Sequence, residues 1–179
     1  MAMEQSIWVI LTAVFAASTA GLAVVLVVIN RGPRNTPRPD GRETYVEYET
    51  PDYLGYRDFR LDGLPDTDTL TPTRYWLVDD GVAEVEFSVA HSDDVTLRAA
   101  PTGTLNLPAR YRDYEYESVG IFPVGDVDVT LSQSPGRESI FTWTQDGFDF
   151  AVFAPGAEMN VMGGISTEFV TGTSGKMKR

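Results

Sequence analysis

The chain has 179 residues, no cysteine and a formal net charge of −12. The lack of cysteine excludes a disulfide framework, a thiolate metal site and a cysteine nucleophile. The acidity excludes a basic nucleic-acid footprint and disfavours a domain lying flat on anionic lipid.

Residues 1–6 form a short tail that carries Glu4 and no Lys or Arg. The next stretch, Ile7 to Ile29, has no charged residue. As a helix it would rise roughly 35 Å, enough to cross a hydrocarbon core of about 30 Å. Trp8 sits where an interfacial aromatic is expected. The stretch is therefore read as a transmembrane helix anchored in the lipid bilayer. A cleaved signal peptide fits less well. There is no basic n-region, the apolar run is long, and cleavage after Ser18-Thr19-Ala20 would leave Leu22 to Ile29 on the mature chain. Ala13, Ala17 and Gly21 share one helix face, a spacing that lets two helices approach as a weak homodimer, although small residues are common in membrane helices.

Residues 30–43 read as a solvated linker rich in Pro and Arg. Arg31, Arg34, Arg38 and Arg42 lie close to the helix end, and the positive-inside rule would place the C-terminal part of the chain in the cytoplasm.

The pattern from residue 44 to residue 170 is that of one β-rich soluble domain. Val46 and Tyr48 alternate with Glu47 and Glu49, as in a first or edge strand. Pro51 to Phe59 suits a short helix or an aromatic loop, and Leu61 to Pro72 reads as turn chemistry. Arg74 to Val78 and Val82 to Val89 flank Asp79-Asp80-Gly81, a hairpin signal. In the second arm Val85 and Phe87 face inward, with Glu84, Glu86 and Ser88 on the wet side. Val95 to Ala99 is a further strand. Val124 to Leu131 alternates Val127, Val129 and Leu131 with Asp126, Asp128 and Thr130. After a Pro135-Gly136 turn, Ser139 to Thr144 and Phe148 to Phe153 flank Asp146-Gly147, a second hairpin. Ile140, Trp143, Phe148, Phe150 and Phe153 should supply much of the core. Met159 to Phe169 has some helical spacing, but Gly163-Gly164 and Thr167 weaken it. Residues 171–179 read as a frayed, flexible tail.

The fold class expected is α+β. It comprises a curved antiparallel sheet of about six or seven strands with one or two short helices, behind a single transmembrane helix.

Chemistry-bearing residues are sparse. His91 is the sole histidine and stands beside Ser92, Asp93 and Asp94. Neighbours in a turn do not converge as a triad must, so His91 is read as an exposed turn residue. Asp66 with Asp68, Asp79 with Asp80, Asp93 with Asp94 and Asp126 with Asp128 lack the ligand order of an EF-hand loop; they are read as turn and wet-face residues rather than a metal site. No catalytic set and no cofactor are expected. The candidate contact surface is Arg110, Tyr111, Arg112, Tyr114 and Tyr116, because aromatic and Arg side chains are enriched at interface hot spots; a half-buried strand is the alternative for this segment.

The order of motifs carries a resemblance. Tyr53-Leu54-Gly55-Tyr56, the Leu64-Pro65 turn, Asp79 to Phe87, Thr96 to Ala100, Tyr111-Arg112-Asp113-Tyr114, Val127 to Leu131 and Phe141 to Phe150 come one after another. This series resembles a bacterial family of membrane-anchored domains of unknown function. Such domains often lie behind anti-sigma-factor-type membrane segments and are similar in style to lipoprotein-carrier-like sheets. The resemblance spans about Pro51 to Val170. Its most specific parts are Trp143-Thr144-Gln145-Asp146-Gly147-Phe148 and the Arg98-Ala99-Ala100 strand end. It carries no catalytic residues. It implies a domain outside the cell, against the arginine count, and is given the greater weight. The closing helix of the family is usually better formed than the Gly-interrupted segment here. The expected function is a non-catalytic binding or sensory and regulatory domain at the cell envelope, with an unknown protein or envelope ligand as partner. A carrier or chaperone for an apolar ligand is the alternative, and a hydrolase using His91 a distant third.

Overall fold

The computed structural model describes residues 34–35, 43–51, 59–112, 114–134, 138–155 and 159–177. The chain divides into two units, Met1–Arg34 and Asn35–Arg179, and the second holds the folded domain. Eleven strands are described: β1 (Arg34–Asn35), β2 (Tyr45–Tyr48), β3 (Phe59–Gly63), β4 (Leu70–Val78), β5 (Val82–Val89), β6 (Val95–Pro101), β7 (Ser118–Val124), β8 (Val127–Gln133), β9 (Glu138–Gln145), β10 (Phe148–Pro155) and β11 (Ser174–Met177). Two helices join them, α1 (Ala109–Arg112) and α2 (Met159–Gly172).

Nine strands form one sheet in the order β1-β2-β4-β5-β6-β10-β9-β8-β7, and β3 pairs with β11 in a separate two-stranded sheet. From β2 to β7 every pairing is antiparallel. The order is two meanders, β4 to β6 and β7 to β10, fused where β10 returns beside β6. The domain is thus mostly antiparallel sheet with one helix of more than a single turn, as the sequence implies, but the main sheet has nine strands rather than six or seven.

Turn chemistry sets the registers. Asp146 (φ 53°) and Gly147 (φ 82°) occupy the left-handed region between the paired Gln145 and Phe148, as a two-residue type I′ hairpin requires. The β4–β5 hairpin differs. Val78 pairs with Val82 across three residues, and the positive φ angles fall on Asp79 (48°) and Asp80 (58°), not on Gly81. Asp tolerates that conformation better than most side chains. Gly125 (φ 61°) and Asp126 interrupt the expected Val124–Leu131 strand and fold it into the β7–β8 hairpin, with Val124 opposite Val127.

One face of the sheet is apolar. Val85, Phe87, Leu97, Val129, Phe141, Trp143, Phe148, Phe150 and Val152 pack there, beneath Met162, Ile165, Phe169 and Val170 of α2 and beneath Phe59 and Leu61 of β3. Phe169 meets Phe87 edge-on with ring centroids 4.9 Å apart, and the rings of Trp143 and Phe150 stack at 4.9 Å. Ile140 and Phe153, also expected in the core, are buried on the opposite face with Tyr111 and Ala151.

Several expectations are corrected. The turn-like Leu61–Pro72 stretch contains the end of β3 and the start of β4. Leu61 and Leu70 are buried near its two ends, so apolar residues in two successive strands outweigh the Gly, Pro and Asp between them. α2 forms across Gly163-Gly164 because its buried residues recur at helical spacing, and tertiary burial rather than propensity sustains such helices. The tail from Thr171 carries β11 instead of fraying. Its Gly175 lies so near the Phe148 ring that a Cβ there would sit 2.8 Å from ring carbons, so only glycine allows that approach.

Among the described residues no helix is long and apolar enough to cross a membrane. Ile7–Ile29, the Pro135-Gly136 turn and most of Pro51–Phe59 lie outside the described residues.

Candidate functional site

The densest polar constellation lies on the second face of the sheet, centred on Arg98. Strand register places Glu84 of β5 directly opposite Arg98 of β6, with Ala151 of β10 on the other side. Arg98 Nε donates to Glu84 Oε2 at 2.6 Å. Nη1 donates to Glu43 Oε1 (3.0 Å) and to the Asn106 carbonyl (2.8 Å). Nη2 donates to Glu43 Oε2 (2.8 Å) and to the Tyr45 hydroxyl oxygen (2.7 Å). Tyr45 in turn donates to Glu43 Oε2 at 2.6 Å. The Glu43 contact is a two-pronged fork of the kind only a planar guanidinium makes.

A guanidinium has five N–H donors, and all five are used. The Arg98 side chain has no solvent exposure and that of Glu84 has 1%. The Phe153 ring lies beneath, its centroid 5.8 Å from Arg98 Cζ. Burial alone would lower the Arg98 pKa. The hydrogen bond to Glu43 and the charges of Glu84 and Glu43 outweigh it and raise the pKa above the ordinary arginine value. Arg98 is therefore a fixed cation, and its donors are all directed at protein acceptors. The constellation locks three parts of the chain together: the last residues before β2, the centre of the sheet and the 102–108 loop.

Leu105 and Leu107 of that loop and Tyr111 of α1 cover this face where Ile140, Ala151 and Phe153 lie. Within the candidate contact surface, Tyr111 is buried and packs its ring on Phe153 at 4.6 Å. Tyr114 and Tyr116 are half-buried and meet edge-on at 4.9 Å, and the Tyr116 hydroxyl donates to the Tyr111 carbonyl. Arg112 is exposed and donates to Asn106 Oδ1 at 3.3 Å. Arg110 lies in α1, and its side chain is outside the described residues. The segment is a one-turn helix leading into a loop, not a strand. Structure thus gathers Arg112, Tyr114 and Tyr116 at the surface and gives Tyr111 to the interior.

A cleft of about 430 Å³ opens at the end of the sheet between Phe59, Met177, the Asp79–Val82 hairpin and Pro101. Asp79 is held in its wall by accepting the Thr44 N–H at 2.8 Å. His91 is exposed, with φ 64°, in the β5–β6 turn, as read from the sequence.

Glu84 and Arg98 were not legible as a pair. Glu84 alternates with Val85 and Phe87 as a wet-face residue would, yet it is buried. The available signal was Arg98 itself, a lone charge in the otherwise uncharged Val95–Pro101 strand. No family model, no curated protein and no solved structure matches the chain.

Proposed function

We propose that the chain is a membrane-tethered, non-catalytic binding or regulatory domain of the cell envelope. Ile7–Ile29 is the bilayer anchor, and the side chains of Arg112, Tyr114 and Tyr116 are part of the surface that meets a protein or envelope ligand. The observation that carries this reading is the closure of the Arg98 constellation. This grouping, the densest among the described residues, spends every Arg98 donor on its own chain, so it serves architecture and leaves recognition to the surface. The extracytoplasmic placement rests on the motif-order resemblance alone.

The carrier alternative needs an open apolar cavity against the sheet. α2, β3 and β11 pack on the apolar face, Leu105, Leu107 and Tyr111 pack over the centre of the other, and the cleft beside Phe59 and Met177 opens at the sheet's end, which favours surface binding over enclosure.

The test is fractionation and protease access on intact cells, using the full chain with a C-terminal tag. The expected result is a product that needs detergent for extraction and is digested from outside. A product soluble without detergent overturns the anchor, and protection from protease overturns the placement. Apolar small molecules co-purifying with the chain in stoichiometric amount would replace this reading with the carrier.

A further inference from the structure

The two ends of the main sheet are guarded differently. Near the β1 end, beyond the Tyr48–Tyr75 pair, β4 carries Pro72 and, in its ladder with β5, a register shift between Pro72 and Arg74; a proline and a bulge both discourage further pairing. At the other end β7 is the terminal strand, and among the described residues nothing pairs with its outer edge. Its seven residues, Ser118 to Val124, include no charge.

Backbone geometry says what that edge offers. The two-residue Gly125-Asp126 turn makes Val124 and Val127 a hydrogen-bonded closing pair. Alternation then points the N–H and C=O of Val119 and Ile121 away from β8. Pro123 points the same way but has no N–H, so it limits the usable edge to Val119 and Ile121 plus one carbonyl. Both side chains are exposed, Val119 at 64% and Ile121 at 71%. They project on the face away from Phe122 and Val124, which pack on the apolar core. Acidic residues bracket them. Exposed Glu117 precedes Val119, and exposed Asp128 stands opposite Pro123.

We propose that the β7 edge receives an extended segment of a partner protein by strand addition. The segment has two apolar residues two positions apart and a Lys or Arg two positions beyond each. Main-chain hydrogen bonds at Val119 and Ile121 supply affinity, and the alternating side chains supply specificity. The basic ends meet Glu117 and Asp128. A second copy of this chain does not fit. Laying β7 antiparallel on itself, Val119 against Ile121, sets Glu117 of one copy beside Pro123 and Asp128 of the other, acid against acid. The proposal adds the β7 edge to the contact surface named above and rests on the reading of the chain as a binding module.

The probe is a fluorescein-labelled, end-capped peptide Lys-Thr-Val-Thr-Ile-Thr-Lys, titrated by anisotropy into the full-length chain in non-ionic detergent. Saturable binding that weakens with salt is expected. N-methylation of the two edge-facing peptide nitrogens should cost about tenfold or more in affinity. Glu in place of both peptide lysines should abolish binding. Ile121→Lys should abolish it too, with an unchanged circular dichroism spectrum because Ile121 is exposed, and Ile121→Thr should retain most of it. Equal binding of the N-methylated peptide, equal binding by Ile121→Lys, or no binding of the parent peptide each overturns the proposal. So does self-association that Ile121→Lys removes. The fractionation and protease results are independent of these outcomes, so the anchored-module reading stands or falls separately.

Discussion

The two faces of the same nine-stranded sheet are closed by opposite means. On one, α2 and β3 bury aliphatic and aromatic side chains, and Glu84 and Arg98, the buried charges among the described residues, lie on the other. On the other, smaller apolar clusters flank one cation held by two carboxylates, a hydroxyl and a carbonyl. Apolar burial is roughly proportional to area and tolerates changes of shape. A buried charge network is unforgiving, because removing one member strands the others without water. The apolar face should therefore yield gradually to substitution and the Arg98 face abruptly.

The largest expected effect tests that asymmetry. Arg98→Met leaves Glu43 and Glu84 facing each other in the interior and should cost about 3–5 kcal/mol. Combining it with Glu43→Met and Glu84→Leu should recover most of the loss, since apolar groups of similar volume often replace a buried ion network without penalty. Urea unfolding monitored by tryptophan fluorescence reads both. A triple variant as unstable as the single one would mean that the 102–108 loop, not the charges, depends on Arg98.

Conservative exchanges sharpen the contrast. Phe169→Leu on the apolar face should cost under about 1.5 kcal/mol. Arg98→Lys keeps the charge but loses the fork to Glu43, and should cost about 1.5–3 kcal/mol. Equal losses would erase the distinction between the faces.

The same asymmetry explains what was legible in the sequence. Alternation identified Val85, Phe87, Val127 and Val129 as inward-facing because period-two burial needs only one apolar side per strand. It failed at Glu84, whose burial depends on Arg98 fourteen positions on and on Glu43 just before β2. Those are partners in space that no local pattern encodes. The frayed-tail reading of Ser174–Met177 failed for the same reason. The strand exists because β3 offers an edge and because Gly175 lets the chain approach the Phe148 ring. In the candidate contact segment, composition gave aromatic and Arg content correctly but could not say that Tyr111 turns inward onto Phe153.

Two glycine-to-alanine exchanges probe the lid of the apolar face. At Gly175 the new methyl would meet the buried Phe148 ring at 2.8 Å, and overpacking of this kind should cost about 1–3 kcal/mol. At Gly164, in the middle of α2, a Cβ would meet nothing within 4 Å. There the higher helix propensity of alanine should stabilise by about 0.5–1 kcal/mol. Thermal unfolding of the two variants should move in opposite directions; a shared direction would show that α2 and β11 are not both seated as described.

The smallest expected effect comes from alkaline pH, which addresses one group on each face. Tyr75 packs at the margin of the apolar core, and burial, with a further push from Asp66, raises its pKa above the ordinary value near 10.0. Below pH 10 both folded and unfolded chains keep the phenol neutral, so Tyr75 gives no slope there. Above it the unfolded chain releases the proton first, so stability declines until the folded phenol also ionises. Arg98 behaves differently. Its pKa is raised beyond the ordinary arginine value, so its contribution is intact throughout the range in which Tyr75 titrates. Tyr75→Phe should therefore flatten the stability profile just above pH 10, while tyrosinate absorbance at low denaturant reports the delayed ionisation. If Tyr75→Phe leaves the slope unchanged and the variant lacking Arg98 flattens it instead, the charged face rather than the apolar margin is the alkaline weak point.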